Sequence, residues 1–295
     1  MGRSPIYQAH SNRVRRGDAL RTAFAGLAKF RNLEQLRFDF FDFDYNENMV
    51  LGISGEPTHY PALQLDIFAA LAANPPPSVV SLTMNNVFAA PNAMYGQEAF
   101  HSVFHRLNTL HISILSGTDL YGFLCNLEPF VDFWQTSLPN MVRSAVALTS
   151  LTIMSNNRPI VSHLTDTRLL HLSSLRLELF VLEPTQPYSG MLSFILAHRA
   201  TLAHLELCGC FIGGGEEAKF SRPWYAVLAM FESKLDRLRT LVLSADRGSR
   251  FGYARSWGYE HMPVHGLLDA KERELAALES LMVVVESRCK QEEDD

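Results

Sequence analysis

One spacing of apolar residues recurs along the chain: apolar, two variable positions, apolar, one variable position, apolar. It reads Leu33/Leu36/Phe38, Val79/Leu82/Met84, Leu107/Leu110/Ile112 and Leu148/Leu151/Ile153 in the first half. Leu172/Leu175/Leu177, Leu202/Leu205/Leu207, Leu238/Leu241/Leu243 and Leu278/Leu281/Val283 continue it. The last two apolar positions of each motif alternate as in a strand with one buried face. A unit of this size buries that face only against its neighbours, so the repetition predicts an elongated α/β solenoid. Strands would form a curved parallel sheet on the concave side, with helices on the convex side. The central leucines lie 24 to 46 residues apart, so the array is irregular and carries insertions.

Between the motifs, helical patterns dominate. Asp18 stands as a candidate N-cap for a helix over 19–30, with Leu20, Phe24, Leu27 and Phe30 on one face. Pro61 opens a helix that Asn74-Pro-Pro-Pro stops. Further helices are expected over 97–107, 120–134, 190–198, 223–238 and 267–281, the last overlapping the eighth motif. The domain plan is a basic segment with a capping helix over 1–32, the solenoid over 33–288 and an acidic tail over 289–295.

In that arrangement the residue between the last two apolar positions of each motif faces the concave surface. The partner-binding candidates are Arg37, Thr83, His111, Thr152, Arg176 and Glu206. The stripe turns apolar at Val242, Met282 and Val284, which predicts either a covered edge or a docking patch there.

Composition narrows the function. With 47% apolar and 19% charged residues in 295, the chain can bury a substantial core. A net charge of -5 gives no general attraction to nucleic acid or anionic membrane, and neither is an expected partner. The charge is uneven: eight Lys/Arg face two carboxylates up to Arg37, and the chain closes on Glu292-Glu-Asp-Asp295. Four cysteines are too few for a disulfide framework. The start lacks a secretion-type apolar core, and no run of about 18 apolar residues occurs. A soluble intracellular protein, cytoplasmic or nuclear, is expected.

Local motifs give no catalytic constellation. Phe38-Asp-Phe-Phe-Asp-Phe-Asp-Tyr-Asn-Glu47 suits either a grip on a basic peptide or, more commonly, a strand end with buried rings and solvated carboxylates. His101 and His105 share a helix face, but Ser102 stands where a zinc-hydrolase helix carries Glu. Cys208-x-Cys210 has no second pair to complete a tetrahedral site. Gly213-Gly-Gly-Glu-Glu217 lacks the Gly-Lys-Ser/Thr ending of a phosphate loop and reads as a turn. No Gly-x-Ser-x-Gly elbow or Ser/His/Asp triad emerges. The chain is expected to be non-enzymatic, without metal or cofactor.

The segment 246–261 stands apart, with Arg247, Arg250, Phe251, Tyr253, Arg255, Trp257 and Tyr259 among three glycines. Arg and aromatic side chains are enriched in binding hot spots. The segment reads either as a partner-binding loop at the solenoid rim or, more commonly, as an insertion folded onto the helices.

The eight motifs resemble those of the leucine-rich-repeat superfamily over Leu33 to Val283. The unit length exceeds the ~20–29 residues of regular members. Phrases such as Leu148-Thr-Ser-Leu-Thr-Ile153 and Leu172-Ser-Ser-Leu-Arg-Leu177 are most similar to fungal F-box proteins with leucine-rich repeats. That resemblance implies a non-catalytic protein-interaction scaffold, a substrate-recognition module of a ubiquitin-ligase type complex. Contact with the ligase adaptor would require an F-box outside this chain, because the motifs begin at Leu33. The second expectation is a self-associating structural or regulatory repeat protein, pairing through its apolar C-terminal end.

Overall fold

The computed structural model describes residues 5–27, 29–40, 59–115, 118–119, 122–123, 128–155, 162–183, 190–214, 222–245, 250–257, 260–263 and 271–293. Helix α1 (Pro5–Leu27) leads into strand β1 (Gln35–Asp39). Helix α2 (His59–Ala73) precedes β2 (Ser81–Phe88). A short helix α3 (Glu98–His101) and a 3₁₀ turn precede β3 (Thr109–Leu115). A small hairpin, β4 (Thr118–Asp119) and β5 (Gly122–Phe123), follows. Then α4 (Glu128–Asp132), a π-type turn (Phe133–Ser137) and α5 (Leu138–Ser144) run end to end into β6 (Ser150–Ser155). The next elements are β7 (Ser174–Glu178), β8 (Val181–Glu183), α6 (Met191–Ala197), β9 (His204–Cys208) and β10 (Phe211–Gly214). The chain continues through α7 (Trp224–Lys234), β11 (Thr240–Ser244), β12 (Gly252–Trp257), β13 (Glu260–Pro263) and α8 (Lys271–Glu293).

Seven strands form one all-parallel sheet whose spatial order follows the chain, β1-β2-β3-β6-β7-β9-β11. The repeated motif sets the register. Leu36, Leu82, Leu110, Leu151, Leu175, Leu205 and Leu241 stand side by side as direct partners. Phe38, Met84, Ile112, Ile153, Leu177, Leu207 and Leu243 form the second row. In the interior strands both rows are buried, in one continuous core with Phe68, Phe100, Trp134, Phe194, Trp224 and Phe231 from the intervening segments.

The entry to each strand is equally regular. The carbonyl oxygen of Glu34 accepts both Val80 N–H and Ser81 N–H. Those of Val80, Asn108, Thr149, Ser173 and Ala203 each accept two consecutive N–H groups from the next unit in the same way, at 2.8 to 3.2 Å. Six junctions therefore share one joint.

The exits differ. A left-handed residue stands five positions after the strand start in three units: Asn86 (φ 57°), Leu179 (φ 58°) and Gly209 (φ 53°). Glycine and asparagine adopt this region readily; leucine does so at a cost. Burial offsets it, because Leu179 packs with Phe211 and Ala254 in a separate apolar cluster. The Leu179 and Gly209 bends lead into β8 and β10, which with β12 and β13 build a second sheet, β13-β12-β10-β8.

Several expectations are corrected. The eighth motif is not a strand: Leu278, Leu281 and Val283 lie within α8. Leu-x-x-Leu fits a helix face as well as a strand entry, and Leu278, Leu281 and Val285 occupy the inner side while Val283 is 66% exposed. Lys, Glu, Ala and Leu fill the flanks, with no turn signal to interrupt the helix. Asp18 is not an N-cap, since α1 begins at Pro5 and Asp18 pairs with Arg21 inside it. The helix expected over 120–134 begins only at Glu128 among the described residues, and Gly122–Phe123 is extended. Between β6 and β7 the described chain makes turns and no helix. Gly213 and Gly214 belong to β10 instead of a loop, whereas 215–217 lie outside the described residues.

Long helices cover both ends of the large sheet. Phe24 of α1 packs with Ala70 and Leu71 of α2 and stacks on Phe38, ring centroids 5.9 Å apart. Arg16 binds Asp66 of α2 at 2.7 Å. At the other end Leu281 and Val285 of α8 join the core, and Arg288 donates to the carbonyls of Leu235 (2.8 Å) and Glu232 (3.0 Å). The helix runs through position 288/289. None of the described helices is long and apolar enough to cross a membrane.

Candidate functional site

The open face of the large sheet carries the residues between the apolar rows. Register brings Arg37, Thr83, His111, Thr152, Arg176 and Glu206 into one line, continued by Val242. The sequence-predicted concave residues are therefore direct cross-strand neighbours. At ~4.8 Å between strands, each of Arg37 and Arg176 lies roughly 10 Å from His111, with one threonine between. One neighbouring row reads Gln35, Ser81, Thr109, Ser150, Ser174, His204 and Thr240. Four central strands thus present an unbroken row of small hydroxyls.

The two arginines are held differently. Arg176 donates Nη1 to Glu206 (2.9 Å) and Nη2 to Glu178 (3.1 Å), and the Cys208 thiol donates to Glu206 at 3.3 Å. Burial opposes the Arg176 charge, yet the Glu178 hydrogen bond and the neighbouring acidic groups raise its pKa. Arg37 donates only Nε, to both oxygens of Asp39 at 2.9 Å, so the outer edge of its guanidinium is open among the described residues. Asn85 donates to the same carboxylate at 2.6 Å. The Arg37 and Asn85 bonds hold the Asp39 pKa below its usual value. Between them His111 is half buried. Burial, then the charges of Arg176 and Arg37, lowers its pKa against a smaller opposing pull from Glu178. At neutral pH the imidazole is uncharged, able to donate from one nitrogen and accept at the other.

Arg37, Asp39, Thr83, Asn85, Asn86, His111, Ser113 and Met154 line a shallow depression of about 580 Å³ in this face. It offers a guanidinium edge paired with the Asp39 carboxylate, two amides, hydroxyls, a neutral imidazole and one thioether. These donors and acceptors suit recognition of polar groups.

The segment 246–261 divides. Tyr253 is buried, so it is not open to a partner, and Phe251 is partly buried against the core. Tyr253 is 5% exposed, accepts from Trp224 N–H at 3.0 Å and donates to the Glu274 carboxyl. Phe251 lies against the Trp224 ring at 6.1 Å. The alternation Phe251-x-Tyr253-x-Arg255-x-Trp257 was the signal for a strand. Arg250 is exposed. Arg255 and Trp257 belong to β12, but their side chains, like Arg247 and Tyr259 altogether, lie outside the described residues.

The remaining motifs serve packing. Phe38 and Phe40 stack at 6.4 Å with Asp39 solvated between them, while 41–47 lie outside the described residues. His101 bonds the Tyr95 carbonyl (2.7 Å) and Ser144 Oγ (3.1 Å). Cys208 ends β9, and burial pushes the Cys210 thiol up to about 12. Among the described residues no group of three or more His, Cys, Asp or Glu could hold a metal ion.

Comparison with family models, with curated proteins and with solved structures finds no match to this chain.

Proposed function

We propose that the chain is a leucine-rich-repeat-type interaction scaffold that receives a protein partner on the open face of its large sheet. One observation carries this reading. Seven strands in chain order set their variable residues in register, making a continuous, mostly polar face among the described residues. Such a face is what stacked repeats use for extended partners. The open edge of Arg37, neutral His111 and the hydroxyl row favour a partner segment rich in backbone amides and acidic or amide side chains. The F-box resemblance extends the proposal to receiving the substrate of a ubiquitin ligase, for which the adaptor contact would need an F-box outside residues 1–295.

The test uses photo-crosslinking residues placed at Thr83 and Thr152 on the open face and at Ser233 on α7. The two open-face probes should capture the same protein in cells, and Arg37→Ala with His111→Ala should abolish that capture while the fold is kept. Equal capture from Ser233, or capture unaffected by the two substitutions, would overturn the reading.

A further inference from the structure

The two ends of the sheet carry opposite charge beside exposed apolar side chains. At the β1 end, Phe30 is 63% exposed between the exposed cations Lys29 and Arg31, which have no ion-pair partner among the described residues. The turn that presents Phe30 is fixed. Phe30 N–H donates to Leu27 O (3.0 Å), Leu33 N–H to Phe30 O (3.1 Å), and Ser78 Oγ to Leu33 O (3.0 Å). Glu34 is the single carboxylate immediately beside this turn in sequence.

At the β11 end, α8 turns an apolar and acidic face outward. Val283 is 66% exposed and Leu275 39% exposed. Glu279 lies one turn before Val283 and Glu286 one turn after, both exposed and without an ion-pair partner among the described residues. No Lys or Arg occurs from Glu274 to Ser287. Val242, 41% exposed on β11, extends the apolar surface at this end. The helix is anchored from beneath by Leu281, Val285 and the two Arg288 bonds, so its outer face is a fixed surface.

We propose that this acidic, apolar face of α8 binds the Lys29-Phe30-Arg31 knob of a second copy of the chain. Phe30 seats on Val283 between two turns of helix, and the flanking cations meet Glu279 and Glu286. A two-fold pairing of α8 with itself opposes this charge pattern, because it sets carboxylates against carboxylates. The contact is heterologous: each copy keeps a free knob at one end and a free face at the other. The β1 end of one sheet then meets the β11 end of the next, and the polar faces repeat along a row. The proposal does not rest on what those faces bind.

Sedimentation velocity of the full chain tests it, over a concentration series at low and high salt. The expected result is species larger than a monomer that grow with concentration and weaken with salt. Phe30→Glu and Val283→Arg replace exposed side chains, and circular dichroism checks that each variant folds. Each alone should weaken association at least tenfold. Mixed one to one, they should form a dimer and nothing larger, since the pair retains one working knob and one working face. Arg37→Ala should leave association unchanged. A strict monomer throughout, association of Phe30→Glu equal to wild type, or a mixture that stays monomeric would each overturn the proposal. In the second case the persisting species points to α8 pairing with itself.

Discussion

Removing one hydroxyl tests how the second sheet is locked to helices α7 and α8. Tyr253 Oη accepts from the backbone N–H of Trp224 and donates to Glu274, and all three residues are buried at 5%, 1% and 3% exposure. Trp224 is the first residue of α7, so its N–H has no partner within the helix. Tyr253→Phe leaves both the amide and the carboxyl unsatisfied in the interior. At ~1–3 kcal/mol per stranded group, the loss is about 2–5 kcal/mol. Urea unfolding should show a lower midpoint at unchanged slope. Pairing Tyr253→Phe with Glu274→Leu in a double-mutant cycle should show coupling of ~1 kcal/mol or more. A Tyr253→Phe loss below ~0.5 kcal/mol, with no coupling, would refute this account of the joint, because a buried triad cannot be both satisfied and worthless.

Other consequences are equally direct. A methyl at Gly252 would stand 2.6 Å from the Phe211 ring and 2.8 Å from the Cys210 carbonyl oxygen. Gly252→Ala should therefore cost ~1–3 kcal/mol in the same assay, and adding Phe211→Leu should not restore it because the backbone oxygen remains. His198 donates Nδ1–H to Phe194 O (2.8 Å) and accepts from Leu169 N–H at Nε2 (2.9 Å), while burial lowers its pKa. Its contribution is present above the ordinary histidine pKa of 6.5 and fades as pH falls below it, a slope that His198→Gln should flatten. Glu274 behaves oppositely: burial raises its pKa against the Tyr253 bond, so the stability linked to it is full below 4.5 and is lost as pH rises. Glu274→Gln should flatten the stability profile above that point. Gln64 accepts from Phe88 N–H and donates to Tyr95 Oη, each at 2.9 Å; Gln64→Leu strands the amide and should cost ~1–3 kcal/mol.

Seven of the eight motifs were legible as strands because their apolar spacing coincides with a physical row of partners, and this placed Arg37 through Glu206 in line before any coordinates. The eighth failed where spacing alone is ambiguous. Leu278 and Leu281 satisfy both a strand entry and a helix face, and the choice rested on the helix-forming flanks. The second sheet was missed for a different reason. Two of its strands, β8 and β10, follow left-handed bends, and a leucine such as Leu179 gives no turn signal; it holds that conformation through tertiary packing against Phe211 and Ala254. Tyr253 looked like a surface hot spot because sequence cannot say that Glu274 and Trp224 wait for its hydroxyl. The unequal state of the two arginines was also invisible, since it depends on Glu206 arriving from the next strand, while among the described residues Arg37 pairs only with Asp39 of its own strand.

The joint at the strand entries bears on how a chain of this kind changes length. Each link joins the carbonyl before one strand to two N–H groups of the next, and the same geometry is reused at every junction whatever lies between. A deletion of one or two residues inside the joint would misalign everything downstream. Excision of an entire strand with the segment that returns to it, for example from Thr149 to Leu172, would bring the Ser173 and Ser174 amides onto the Asn108 carbonyl and close the ladder again. Size is thus altered by whole modules, and a descendant with fewer or more strands keeps every remaining side chain in line.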